Sequence, residues 1–393
     1  MRYNKSYNNI SYNEEVDRLN NPFIISGRYV SEEYFCDRES ETQELVSNIV
    51  NWRNSVLVSF RRMGKSGLIE HTFAQKAVCE HFETFYIDIY ATSSLEEFVV
   101  MLGKEIVSRL QGVGQRFFER FLGMVGSLKA SLSADPITGM PSIELALGEK
   151  SSATKTLEQI FSFLESSESP CVVAIDEFQQ IAEYHDGKKT IAYLRTLVQN
   201  CKQTRFIFAG SNRRMMGELF NSPSEPFFMS CSTVPLEAID KAKYRAFAMN
   251  HFKQGGKVLE SGCFDSVYDR FDGHTWYVQY VMNRIYDVTP VDGVADVSRV
   301  GSAIEYILGV NHVTYQTILA NYSERQRSLL IAVAKEGRVK GILSSAFINK
   351  YRLNSSSSVQ GALKPLIDNE TVIRDGEEYY VGNRFFSLWL SRR

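Results

Sequence analysis

The sequence predicts an α/β protein: a parallel five-stranded sheet with helices on both faces, then an all-helical region and a small domain of three helices and a hairpin. Three observations carry this. Apolar runs of strand length alternate with stretches of helical spacing through the first 237 residues, and strands separated by helices pair in parallel with helices packed on both faces. From Ala238 to about Tyr322 only helical spacing continues. Beyond that, three amphipathic stretches precede two short apolar runs joined by Asp375-Gly376, a hairpin-turn pair.

In chain order, residues 1–20 are rich in Asn, Tyr and Ser and are expected to form a flexible lead. Glu39 to Val50 has helical spacing. Strands are expected at Ser55 to Phe60, Thr84 to Ile89, Cys171 to Ile175 and Arg205 to Gly210, with a fifth near Ser232 to Leu236. Helices are expected between them at Gly67 to His81, Ser94 to Leu110 and Thr190 to Asn200. One stretch breaks the alternation: Leu128, Ala130, Leu132 and then Ile143, Leu145, Leu147 flank a segment with Pro136, Gly139 and Pro141. This predicts a β-hairpin over about 127–147 that either extends the sheet or projects as a finger for a partner.

The all-helical region has helical spacing at Asp240 to Lys253, Cys263 to Arg270 and Thr275 to Tyr286. Its Trp276, Tyr277, Tyr280 and Met282 are expected in a core rather than as a base-stacking platform. In the tail, Ser323 to Ala334, Leu343 to Tyr351 and Ser355 to Ile367 are the three helices, and Val372 to Val381 is the hairpin. Three helices followed by a hairpin make a winged helix. The expected divisions are a lead over 1–20, a core over 21–237, a helical region over 238–320 and a winged helix over 321–393.

Composition limits the classes. The hydrophobic fraction of 44% and charged fraction of 23% are those of a globular protein. No apolar stretch approaches bilayer length and residues 1–20 lack a signal-like apolar segment, so a cytoplasmic protein with no membrane partner is expected. The six cysteines are scattered without a CxxC pair, which predicts reduced thiols rather than a metal site. The net charge of −2 conceals a division: residues 321–393 hold twelve Lys and Arg against seven acids, leaving a basic tail on an acidic body.

The chemistry starts at Ser59-Phe60-Arg61-Arg62-Met63-Gly64-Lys65-Ser66, which follows the apolar run Ser55 to Val58 and leads into the helical Gly67-Leu68-Ile69. A tight loop between a buried strand and a helix N-terminus aims backbone N–H groups at phosphates. Lys65 is expected to reach the β- and γ-phosphates of a nucleotide, and the Ser66 hydroxyl to join the shell of a Mg²⁺ ion. The full pattern is GxxxxGK[ST], and Ser59 stands where its first Gly belongs.

A second motif lies about a hundred residues on. Cys171-Val172-Val173-Ala174-Ile175 is a fully apolar run ending in Asp176-Glu177, the form of a buried parallel strand whose tip enters a site. Asp176 is expected on the Mg²⁺ shell and Glu177 on the attacking water. Thr204 to Gly210 is a further buried strand, and Ser211 and Asn212 at its C-terminal end are expected to orient that water or sense the γ-phosphate. Arg213 and Arg214 follow, either to stabilise phosphoryl charge or as a solvated turn.

Taken together, Asn21-Pro22-Phe23, Phe35-Cys36-Asp37-Arg38-Glu39, Arg61 to Ser66, Ile175-Asp176-Glu177-Phe178-Gln179 and Gly210-Ser211 resemble the archaeal and bacterial ATPases of the AAA+ class, relatives of the signal-transduction NTPases called STAND. The resemblance covers about three quarters of the chain as P-loop core and lid, and the tail matches the family's winged-helix end. It implies that Asp37, Arg38 and Glu39 lie near the adenine. The chain departs from it where Ser59-Phe60 replaces Gly-Pro, where Gly273-His274-Thr275 replaces Gly-His-Pro, and in lacking a sensor arginine over Trp276 to Asp287 apart from Arg284.

The expected function is that of a slow Mg²⁺-dependent ATPase, binding ATP or ADP, whose nucleotide state is a switch that presents the winged helix to DNA or a protein partner. If DNA is the partner, Ser356, Ser357, Gln360 and Lys364 of the third helix and Arg374 of the wing are the contact residues. The alternative is a nucleotide-gated DNA-binding or regulatory module with little or no hydrolysis. A kinase on the same loop is a third reading, against which adjacent Asp176 and Glu177 suit water better than an acceptor. Paired Arg213 and Arg214 are compatible with an oligomer in which they act on a neighbour's site.

Overall fold

The strand runs of the first half pair in parallel, in the order β2-β5-β6-β1-β7. The computed structural model describes residues 21–26, 31–111, 115–134, 141–148 and 152–393; the expected lead, 1–20, and the turn of the hairpin, 135–140, lie outside them. The chain divides into two units, Ser26–Lys243 and a second made of residues 21–25 with Tyr244–Arg393.

The first unit runs α1 (Glu39–Val50), β1 (Ser55–Val58), α2 (Lys65–Ala74), α3 (Lys76–Cys79), β2 (Glu83–Asp88), α4 (Leu95–Gln111) and α5 (Gln115–Met124). It continues through β3 (Leu128–Ala134), β4 (Pro141–Leu147), α6 (Ala153–Glu165), β5 (Cys171–Asp176), α7 (Gly187–Asn200), β6 (Thr204–Gly210), α8 (Arg213–Asn221) and β7 (Ser232–Pro235). All six residues of β5 are buried, as a central strand covered on both faces requires. The two faces carry separate cores: Val56, Phe85, Val173 and Phe206 belong to one, Leu57, Tyr86, Val172 and Ile207 to the other. Register aligns the strand tips: Asp88 pairs with Asp176, Ile175 with Phe208, and Val58 with Gly210. The C-terminal ends of four strands therefore finish at one level.

The hairpin forms with Leu128 opposite Leu147 and Leu132 opposite Ile143. It does not extend the central sheet, since β3 and β4 are a sheet of their own. Leu128 and Leu145 are buried with Phe98, Leu102 and Phe121 of α4 and α5, so helices, not strand β2, cover its apolar face. The helix expected over Gly67 to His81 is broken at Gln75, whose backbone is extended.

The second unit contains α9 (Lys241–Gln254), whose first turn belongs to the first unit, then β8 (Val258–Leu259), α10 (Ser261–Arg270), α11 (Thr275–Val288), β9 (Val294–Ala295), α12 (Ser298–Val310) and α13 (His312–Ala320). The parallel pair β8 and β9 corrects the expectation of helices alone; two residues per strand are too few to carry a period. Tyr277 and Met282 of α11 are buried, as expected of core residues. Residues 21–25 group here and not with the core expected to begin at 21: Phe23 is fully buried beside Phe252 and Tyr286, and Asn283 Nδ2 donates to its carbonyl at 2.7 Å.

The winged helix follows as α14 (Glu324–Glu336), β10 (Val339–Lys340), α15 (Ser345–Lys350), α16 (Ser356–Asp368), β11 (Val372–Asp375), β12 (Glu378–Val381) and α17 (Arg384–Leu390). Ser323 and Gln326 form a reciprocal capping box at the start of α14. Gly376 takes φ +60° in the wing turn, the left-handed conformation that glycine adopts without strain. All six cysteines are free, and burial pushes the Cys171 thiol up to about 12. Among the described residues no helix is long and apolar enough to cross a membrane.

Candidate nucleotide site

The loop between β1 and α2 is shaped by two left-handed residues, Arg62 at φ +64° and Gly64 at φ +95°. Gly64 caps α2, and a side chain there would point into open space, so the approach to the helix N-terminus is clear for a phosphate. Ser59 is not in the left-handed region, so the glycine expected at its position is not demanded by backbone conformation. It is 2% exposed, and its Oγ donates to the Phe60 carbonyl at 3.0 Å. Met63 anchors the loop by burying its side chain in the core beside α2. Lys65 is the first residue of α2 and is 5% exposed.

The second motif meets the first. Ser66 Oγ donates to Asp176 Oδ2 at 2.7 Å, across 110 residues of chain. Tyr86 OH donates to the same oxygen at 2.6 Å, and the Glu177 backbone N–H donates to Oδ1 at 2.9 Å. Glu177 is left-handed, at φ +56°. This sharp turn off the end of β5 brings its carboxylate to β6, where Ser211 Oγ donates to Oε2 at 2.7 Å and the Ser211 N–H at 3.3 Å. Gln179 Nε2 donates to the same Oε2. Gly210 makes the approach possible, because any side chain there would run into Gln179 and Met216.

Other expected residues divide into those the fold brings to the loop and those it does not. Arg61 Nε reaches Ser211 Oγ at 3.4 Å and its guanidinium lies over the Tyr90 ring. Asn212 caps α8: its Oδ1 accepts from the Met215 N–H at 3.0 Å. Arg213 lies over the Phe60 ring, whereas exposed Arg214 pairs with Glu218 on its own helix. Arg38 is buried, paired with Glu41 at 2.9 Å and directed at the Met63 carbonyl at 3.5 Å, so it braces the loop. Asp37 meets Lys243 Nζ at 2.7 Å. Burial pushes the Asp37 carboxyl up, but its contacts with Glu39 and the Lys243 ammonium outweigh this and hold it below its ordinary value. Sequence reasoning missed Tyr86, a hydroxyl inside a strand.

The donor set fits Mg²⁺ and a triphosphate. Among the described residues no three His, Cys, Asp or Glu side chains gather to hold a metal alone. A hydroxyl and one carboxylate beside an open loop would suffice as the protein share of such a site, with phosphate oxygens and water as the remaining ligands.

This architecture, with loop, strand-end acids and terminal winged helix, defines a P-loop nucleoside-triphosphatase fold. Residues 35–281 match the ATPase domain found predominantly in Archaea, and residues 313–392 match a probable winged helix domain. The chain belongs to that archaeal-type ATPase family. A Walker-type ATPase of Pyrococcus abyssi shares its fold with a TM-score of 0.64 at 17% identity, covering 94% of this chain and 99% of that one. The ORC2 protein of Aeropyrum pernix, solved with ADPNP and ADP, gives 0.56 at 11% identity over 94% and 96%. The ORC1 protein of the same organism, solved in complex with DNA, gives 0.51 at 12% over 91% and 93%. No curated protein matches the sequence.

Because Ser59 is accommodated without backbone strain, Ser59→Gly should lower stability by about 1 kcal/mol through the freer unfolded chain. Its Mg·ATP affinity, read by calorimetric titration, should stay within about threefold of wild type. A gain of about tenfold would show that the serine cripples the loop.

Proposed function

We propose that the chain binds Mg·ATP at the loop of residues 59–67, hydrolyses it slowly, and uses nucleotide occupancy as a switch governing the presentation of its winged helix to a partner. The observation that carries this reading is the convergence of Ser66, Asp176, Glu177 and Ser211 from three separate segments. Lys65 with the N–H groups of Arg62 to Ser66 balances phosphate charge, and Ser66 and Asp176 hold Mg²⁺. Bound there, the ion would supply neutralisation of the phosphate charge. Glu177 orients a water for attack on the γ-phosphorus and takes its proton, leaving ADP and inorganic phosphate. Ser211 and Gln179 donate to Glu177 Oε2 and fix the carboxylate, so the water is served by Oε1. Asn212, its Oδ1 committed to the cap of α8, orients the water or meets the γ-phosphate through its amide nitrogen.

Phosphate release from Mg·ATP tests the reading. Glu177→Gln should lower it by on the order of a hundredfold or more while leaving Mg·ATP affinity within a few-fold. Equal rates in both proteins would remove Glu177 from the reaction and favour a nucleotide-gated module without hydrolysis.

For the winged helix, charge favours a protein partner over duplex DNA. Ser356, Ser357, Gln360, Lys364 and Arg374 are all exposed. Yet residues 356–381 hold only Lys364 and Arg374 against Asp368, Glu370, Asp375, Glu377 and Glu378. The ten other cations of the domain lie outside the helix and wing expected to enter a groove. Full-length protein titrated with duplex DNA at about 50 and about 200 mM salt should show no steep loss of affinity, because few phosphates are neutralised. A fall of about a thousandfold would establish the DNA reading.

A further inference from the structure

We propose that Tyr86 is a positioning residue for the Mg²⁺ site, holding Asp176 in the orientation in which Ser66 and the ion use it. The proposal rests on the reading of Ser66 and Asp176 as the magnesium pair. Tyr86 lies in β2, opposite Ala174 of β5, so its side chain shares a sheet face with that of Asp176 two residues further on. Its ring is 8% exposed, in the core that includes Leu57, Leu68 and Val172. Packing alone would be served by phenylalanine. The hydroxyl adds only a buried polar group that must find an acceptor, and the acceptor is Asp176 Oδ2 at 2.6 Å.

The arrangement around the carboxylate gives that bond a consequence. Ser66 Oγ donates to the same Oδ2 at 2.7 Å, and Oδ1 takes only the Glu177 N–H at 2.9 Å among the described residues. A carboxylate offers about four lone-pair sites. Two donors on Oδ2 fix the rotation of the group and leave the free site on Oδ1. With Tyr86 removed, Oδ2 keeps only Ser66 and Oδ1 only the Glu177 N–H, so the carboxylate is held less tightly and Ser66 has a less fixed partner. Nucleotide held by Lys65 and the loop N–H groups is unaffected; what weakens is the dependence of binding on Mg²⁺.

The test follows a fluorescent ATP analogue bound to full-length wild type and Tyr86→Phe, first in EDTA and then across a Mg²⁺ titration. Affinity in EDTA should agree within about twofold, while the Mg²⁺ concentration at half effect rises about tenfold in Tyr86→Phe. In an Asp176→Asn background the same change should add nothing, because the two residues act as one unit. Superimposable Mg²⁺ curves, with or without a shift in thermal unfolding, would reduce Tyr86 to a packing residue and overturn the proposal. A shift that persists undiminished in Asp176→Asn would overturn it too. A wild type that binds no more tightly in Mg²⁺ than in EDTA would instead overturn the magnesium reading, and the proposal with it.

Discussion

The hydrogen bond from Ser66 to Asp176 joins the start of helix α2 to the end of strand β5, and the rest of the site is arranged around it. It exists because β5, β6 and β1 lie side by side in parallel with their ends level. A register slip of one residue would turn Asp176 to the opposite face. The register is protected by burial: β5 has no exposed residue, and each face packs into its own core. Hydrophobic packing on the two faces thus determines, through strand alignment, where one carboxylate stands relative to one hydroxyl.

Two of the chain's left-handed non-glycine residues lie at the same edge. Arg62 and Glu177 are non-glycine residues with left-handed backbones, each costing on the order of 1–3 kcal/mol. Neighbours compel both conformations. Met63 and Arg38 brace the loop around Arg62, while Ser211 and Gln179 receive the carboxylate that the turn at Glu177 delivers. A straight continuation of β5 would carry Glu177 away from Ser211. The strained turn separates it from Asp176, so that adjacent acids reach different partners.

Most of this architecture was legible because it is periodic. Buried parallel strands read as unbroken apolar runs, and the loop and strand-end acids keep a recognisable local form. What escaped was set by tertiary contact. Tyr86 looks like any strand residue until β2 and β5 are paired, and the reach of Arg38 to the Met63 carbonyl depends on how its lead-in segment packs. Asn212 and Ser211 are both small polar residues at a strand end, but only the start of α8 decides which becomes the cap. The hairpin's alternation revealed its pairing and not its cover, since Leu128 and Leu145 are equally satisfied by a strand or by α4 and α5. The motif asks for glycine at Ser59, but the backbone there is not left-handed and does not require one.

A triphosphate site at the loop of residues 59–67 is tested most sharply at the buried Lys65 at the head of α2. Isothermal titration of Mg·ATP into wild type and Lys65→Ala, with matched circular dichroism to show that the fold is kept, reads the claim directly. Wild type should bind measurably and the variant lose affinity on the order of a hundredfold or more, the scale of lost charge-assisted bonds to phosphate. Undiminished affinity in Lys65→Ala would place the nucleotide elsewhere and contradict that assignment.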